Sequence, residues 1–200
     1  MSSLLESLSR QIGGDSLDTI SRQLGADRGA TEQAVSGALP VLLGALAKNA
    51  GSSGGLSSLS AALDRDHDGS VLDDLASFLG DGAAQRHHGG GILGHALGNR
   101  QAAVEGAVSR NSGLDAASVQ KLLMILAPLV MGALGKEKRQ RGLDSGGLAD
   151  LLGGERQRLE RQRPELGMLG DLLDRDGDGN VLDDVAQAGA GLLGKFLGRG

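Results

Sequence analysis

The chain contains no cysteine, no tryptophan and no tyrosine, and only two phenylalanines and three prolines in 200 residues. Without cysteine there can be no disulfide, thiolate metal site or cysteine nucleophile, and redox chemistry gives no guide to compartment. The near-absence of aromatics leaves Leu, Val, Ile, Met and Ala to build the interior and removes the stacking platform that single-stranded nucleic acids use. Sustained two-residue alternation is missing too, which argues against strands and for an all-α fold. No basic stretch followed by an apolar core opens the chain, so no signal peptide is expected, and residues 1–8 read as an amphipathic helix. The longest apolar stretch, residues 122–135, runs to about 14 residues where a spanning helix needs about 20. A soluble, cytoplasmic protein with no membrane contact is the expectation.

What the chain has in abundance is glycine, at 35 residues. Glycine lowers helix propensity but lets backbones approach closely, so short helices with tight crossings are predicted. The length suffices to bury a sizeable core. The net charge is -5, but ten of the 25 acidic residues fall in residues 64–74 and 174–184, leaving 15 acids against 20 bases elsewhere. Crowded carboxylates repel one another unless a cation sits among them, and two divalent ions would bring the formal charge of -5 to -1.

The sequence matches itself. Ser21-Arg22-Gln23-Leu24-Gly25-Ala26-Asp27 aligns with Ser109-Arg110-Asn111-Ser112-Gly113-Leu114-Asp115, and without a gap the match reaches Leu39-Pro40-Val41-Leu42-Leu43-Gly44-Ala45-Leu46-Ala47-Lys48 over Ala127-Pro128-Leu129-Val130-Met131-Gly132-Ala133-Leu134-Gly135-Lys136. Each half reads as helix, turn, long apolar helix, loop, short helix, acidic loop and exit helix. Gly25 and Gly113 are expected to stop one helix, and Asp27 and Asp115 to cap the next. Pro40 and Pro128 fall inside the apolar pattern and predict a kinked core helix. The expected organisation is a first repeat over residues 1–80, a glycine-rich linker over 81–91, and a second repeat over 92–200. The second copy carries a charged insertion at 155–165, Glu and Arg interleaved, which reads as a solvated helical arm rather than a nucleic-acid contact.

Two acidic loops carry the chemistry. The first, residues 64–75, places Asp64, Asp66 and Asp68 at positions 1, 3 and 5, Gly69 at position 6 and Ser70 at position 7; the second, residues 174–185, repeats this with Asp174, Asp176, Asp178, Gly179 and Asn180. Calcium takes six to eight oxygens, and three alternating carboxylates on a curled loop supply several from one side, the position-7 carbonyl adding another. Leucines at 56, 59 and 63, and at 166, 169 and 173, lead into the loops at helical spacing, giving a helix-loop-helix cation site. An EF-hand closes with a bidentate Glu at position 12. Here that position is Leu75 or Val185, and the acids are Asp73 and Asp74, or Asp183 and Asp184. An exit helix starting one residue early would give the closing role to Asp74 and Asp184. The competing reading makes Ser70 and Asn180 helix caps with Asp73 and Asp183 as their third-position partners. Capping does not account for three alternating aspartates recurring with glycine in the same place, and magnesium favours fewer carboxylates and more retained waters. Two calcium ions are therefore expected.

Other candidates are weaker. His87 and His88 lie in the linker with no nearby acid, and His67 sits at an outward-facing loop position. His95 is the fourth histidine, and no nucleophile motif, phosphate loop or paired catalytic carboxylates accompany any of them, so no enzymatic activity is expected. The glycine-spaced tail over 188–200 reads as core packing or fraying rather than a membrane-surface helix.

Residues 90–105, the Ser-Gly-Leu-Asp turn at Ser112 to Asp115, residues 126–134 and the acidic ending at 174–184 together resemble the bacterial domain-of-unknown-function family 937 and the related YidB-like proteins. The resemblance implies a helical bacterial protein and no established activity. The expectation is a calcium-binding helical protein acting as a binding or scaffold module; the alternative is a self-assembling structural protein stapled by calcium. The first, with room for a protein partner, predicts a calcium-independent monomer or dimer, the second predicts self-association into large assemblies, and neither predicts a nucleic acid.

Overall fold

The computed structural model describes residues 3–80 and 89–162. The second acidic loop, the tail, and His87 and His88 lie outside the described residues. Among those described there are helices and no strand, as the missing alternation predicts: α1 (Leu4–Ile12), α2 (Asp15–Leu24), α3 (Arg28–Ala50), α4 (Ser53–Arg65), α5 (Ser70–Asp73), α6 (Leu75–Gly80), α7 (Gly89–Leu97), a 3-10 turn (Gly98–Arg100), α8 (Gln101–Ser112), α9 (Ala116–Gln140) and α10 (Ser145–Gln162).

Local signals set the helix ends. Ser3 and Glu6 form a reciprocal capping box, each side chain accepting from the other's backbone N–H at 3.1 Å, and Leu4, Leu8 and Ile12 then bury one stripe of α1. Gly25 takes the left-handed conformation (φ 65°), with its N–H on the Arg22 carbonyl and that of Ala26 on the Ser21 carbonyl. This is the paired Schellman closure that only a residue without a Cβ adopts cheaply. Asp27 follows as the N-cap of α3, accepting from Gly29 and Ala30. Between α8 and α9, Gly113 (φ 76°) closes the first helix with a single bond from its N–H to the Ser109 carbonyl, and Asp115 caps the second by accepting from the Ser118 N–H. All four predicted boundaries are present.

The two long helices form the centre. They run 23 and 25 residues, the long apolar helix that the pattern around each proline predicts, although glycine content alone argued for short helices. Helix length here follows from tertiary packing, which outweighs the propensity cost of their glycines. α3 packs on α9, and α2, α4, α8 and α10 close around α3. Both helices continue through their prolines, and Pro40 and Pro128 are themselves buried. Each ring costs one backbone hydrogen bond, about 3 kcal/mol or more, and burial of the surrounding Leu39, Leu42, Leu126 and Leu129 at 0–1% exposure offsets it. Both helices are long and apolar enough to cross a bilayer by length and composition, yet 61% and 78% of their apolar windows are buried inside the protein.

One cluster of buried residues runs through both halves, from Leu4 to Leu159. Gly89, Gly90 and Gly91, expected at the end of a linker, instead open α7, whose carbonyls at His95 and Ala96 accept from Asn49 of α3 at 2.6 and 3.1 Å. The charged stretch is helical to Gln162 but not solvated all round, since Glu155 and Leu159 are 3% and 8% exposed.

Candidate functional site: an acidic loop on a glycine and lysine face

The first acidic loop joins α4 to α5. Leu59 and Leu63 are buried on the entering helix, as their spacing predicts, and Asp64 lies in its last turn. Gly69 is left-handed (φ 87°, ψ -2°) and lets the chain turn sharply into α5. The exit helix is broken in two. Asp74 (φ -131°, ψ 65°) ends α5, and its carboxylate accepts from the Ser77 N–H at 3.1 Å, capping α6. Val71 is half-buried and Leu72 buried, so position 9 faces the core as well as position 8.

Glycines on α9 make room for the loop. A Cβ on Gly135 would overlap the His67 carbonyl oxygen, and one on Gly132 would lie 2.5 Å from Val71 Cγ1. Gly69 in turn has its own missing Cβ 2.8 Å from that of Lys136. The loop thus rests close against the helix, an approach that needs glycine on one side of each contact. Gln11 of α1 donates to the Leu72 carbonyl at 2.8 Å, and Gln23 of α2 donates to that of Leu79, so each of the two short helices has one of its C-terminal carbonyls satisfied from outside.

The carboxylates meet bases at the end of α9. Lys138 Nζ lies 2.6 Å from Asp64 Oδ1 and 2.9 Å from Ser60 Oγ, and its side chain is 9% exposed. Lys136 Nζ lies 2.5 Å from Asp73 Oδ1, and Arg139 is 3.7 Å from Asp68. The backbone of this turn is fixed by Gly142 (φ 61°), with the Gly142 N–H on the Arg139 carbonyl and the Leu143 N–H on the Lys138 carbonyl. Three bases at a helix C-terminus also lie where the helix dipole favours positive charge. Asp68 Oδ1 accepts from the Ser70 N–H at 2.9 Å. Hydrogen bonds from Ser70, side chain first and backbone second, with Arg139 as a smaller contributor, hold the Asp68 carboxyl below its usual range, and Ser77 does the same for Asp74.

Of the predicted site residues, Asp64, Asp68 and Asp73 therefore converge on one basic turn, Asp74 is drawn away as a cap, and Asp66 and Ser70 are exposed. Ser70 is the first residue of α5, with Gly69 as N-cap. Asp174, Asp176, Asp178, Asn180, Asp183 and Asp184 lie outside the described residues. Among the described residues no three His, Asp or Glu gather as a metal-binding group. Sequence reasoning missed Lys136, Lys138 and Arg139. Their spacing in a helical last turn was a signal, but nothing local pairs them with aspartates more than 60 positions away.

A family model described as bacterial protein of unknown function (DUF937) matches residues 6–137. The chain belongs to DUF937. The matched region of this family member takes in both central helices up to Glu137 and the whole first acidic loop. No curated protein matches the chain, and no solved structure does.

A cavity of about 380 Å³ lies between α1, α10 and the end of α9, with Leu4, Leu151 and Gly154 among its lining. Its glutamates are matched by neighbouring arginines, Glu155 with Arg158 at 2.8 Å and Glu137 with Arg141 at 2.6 Å.

Proposed function

We propose that this DUF937 member is a calcium-binding helical module, one ion held by each acidic loop, in a chain built from two copies of one helical unit. The observation that carries the reading is the backbone of the first loop. Asp64 stands at the end of the entering helix, Asp66 and Asp68 follow at alternate positions, and Gly69 takes the left-handed turn that position 6 of a calcium loop requires. Asp73 is favoured over Asp74 as the closing carboxylate, because Asp73 points to the same basic turn as Asp64 while Asp74 caps α6. The equivalent assignment in the second loop is Asp183 over Asp184. Matching left-handed glycines at 25 and 113, aspartate caps at 27 and 115, and prolines within both long helices support the duplication. A cytoplasmic binding or scaffold role is in keeping with helices that spend their apolar faces on one another.

The test is calorimetry and thermal melting of the full chain in calcium and in chelator. An ion bound only by the folded state at 100 times its dissociation constant stabilises by about 2.7 kcal/mol, a rise of about 5–10 °C in a chain of this size. Replacing Asp64 by Ala should remove one site and leave the other. Identical melting in both conditions, with no heat of binding, refutes the proposal.

A further inference from the structure

The bases at the end of α9 raise a question about the loop's charge balance. Three of its five carboxylates already have a cationic partner from a segment 63 to 74 positions away. Lys138 matters most, because its ammonium is nearly buried and reaches both Asp64 and Ser60. A buried ammonium is stable only while its hydrogen bonds and counter-charge persist.

We infer that Lys136, Lys138 and Arg139 are the internal counter-cation of the first acidic loop, and that a divalent cation binds there by displacing them from Asp73, Asp64 and Asp68. The inference rests on the calcium reading above and gives that site its regulation. A calcium ion needs the same oxygens that the ammonium groups occupy, at 2.3–2.6 Å and from several carboxylates at once. Both cannot be satisfied together. The glycine contacts of the loop backbone with α9 involve no charge and survive the exchange, so the loop stays in place while its side chains turn from α9 to the ion. Lys138 keeps Ser60 as an acceptor, and Lys136 and Arg139 are exposed enough to turn into water. Calcium thus releases the carboxylates of Asp64, Asp68 and Asp73 from the bases of α9 while the backbone contacts remain, and the resting affinity is set by how firmly that turn holds the carboxylates.

The experiment is calcium calorimetry on the full chain and on three variants at fixed ionic strength, with acylation of lysine amines followed by mass spectrometry. In Lys136→Gln/Arg139→Gln, the first half-buried and the second exposed, removal of two competing pairs should tighten calcium binding about threefold to tenfold. Lys138→Met, an unbranched apolar replacement, should tighten it as well; should that variant not fold, the Lys136 and Arg139 double variant carries the test. Lys121→Gln is the control, an exposed lysine on the same helix about 22 Å away. It should change affinity by less than about 1.5-fold, since charges at that distance are screened. In wild type, calcium should raise the labelling rate of Lys136 and Lys138 about threefold or more, and leave Lys121 unchanged. Wild-type binding with equal affinity in the variants overturns the inference and leaves the calcium reading standing, as does tighter binding with unchanged labelling. No calcium binding in any protein overturns both.

Discussion

Gly135→Ala separates the effect of helix propensity from that of tertiary packing, because the two predict opposite signs. Within an isolated helix the change gains about 1 kcal/mol. In this fold the new Cβ would overlap the His67 carbonyl oxygen and stand 3.0 Å from its carbon, with Asp68 Cα at 3.7 Å. The obstacle is backbone, in a loop held by buried Leu72 below and by Lys136 and Lys138 at its sides, so it cannot yield by a rotamer change. Overpacking of this kind costs about 1–3 kcal/mol, occasionally more, and a backbone obstacle puts Gly135→Ala at the upper end. The net expectation is a loss of about 2 kcal/mol, or a melting temperature lower by about 4–8 °C. Gly44→Ala is the matched control: Gly44 lies mid-helix in α3, at the position that the self-match aligns with Gly132, and its Cβ would meet nothing within 4 Å. That variant should melt at or slightly above wild type. With no tryptophan in the chain, the measurement is helical circular dichroism during thermal and urea unfolding. Gly135→Ala melting at or above wild type would show that the loop does not rest on α9 as described.

Two further outcomes follow from the same geometry. The carboxyls of Asp68, Asp74 and Asp115 are held below their ordinary values by hydrogen bonds from Ser70, Ser77 and Ser118. Folded values below the unfolded ones mean that their stabilisation is complete above about pH 4 and is lost as pH falls through the lowered values. Melting temperature should therefore fall as pH drops below about 4, and fall less in the triple Asn variant; superimposable acid limbs would refute this. Because one core crosses the two halves, fragments 1–80 and 89–200 should each show weak helicity alone and recover it on mixing, by circular dichroism titration. Separate cooperative melts without association would show two independent units.

Much of the local structure was legible. Gly25, Asp27, Gly113 and Asp115 act within four residues of themselves, through a left-handed turn or a side-chain oxygen on a nearby N–H, and such interactions are written in adjacent letters. The stripe Leu4, Leu8, Ile12 and the pair Leu59 and Leu63 are legible for the same reason, since helical periodicity alone puts them on one face. Glycine content was a poor guide to helix length: it argued for short helices, whereas the apolar runs around Pro40 and Pro128 marked a long one in each half, and α3 and α9 run long because neighbours on several sides stabilise them.

The sequence alone determined an all-α chain, the helix boundaries at its matched turns, and a loop of alternating aspartates with a glycine where the backbone must turn. Only the tertiary structure decided what faces that loop. It put Gly132 and Gly135 beneath His67 and Val71, drew Asp74 into the cap of α6, and brought Lys138 to Asp64 across 74 positions. The reason is range: caps and stripes depend on neighbours three or four residues apart, whereas ion pairs and backbone contacts between distant segments exist only once α4, α5 and α9 have packed.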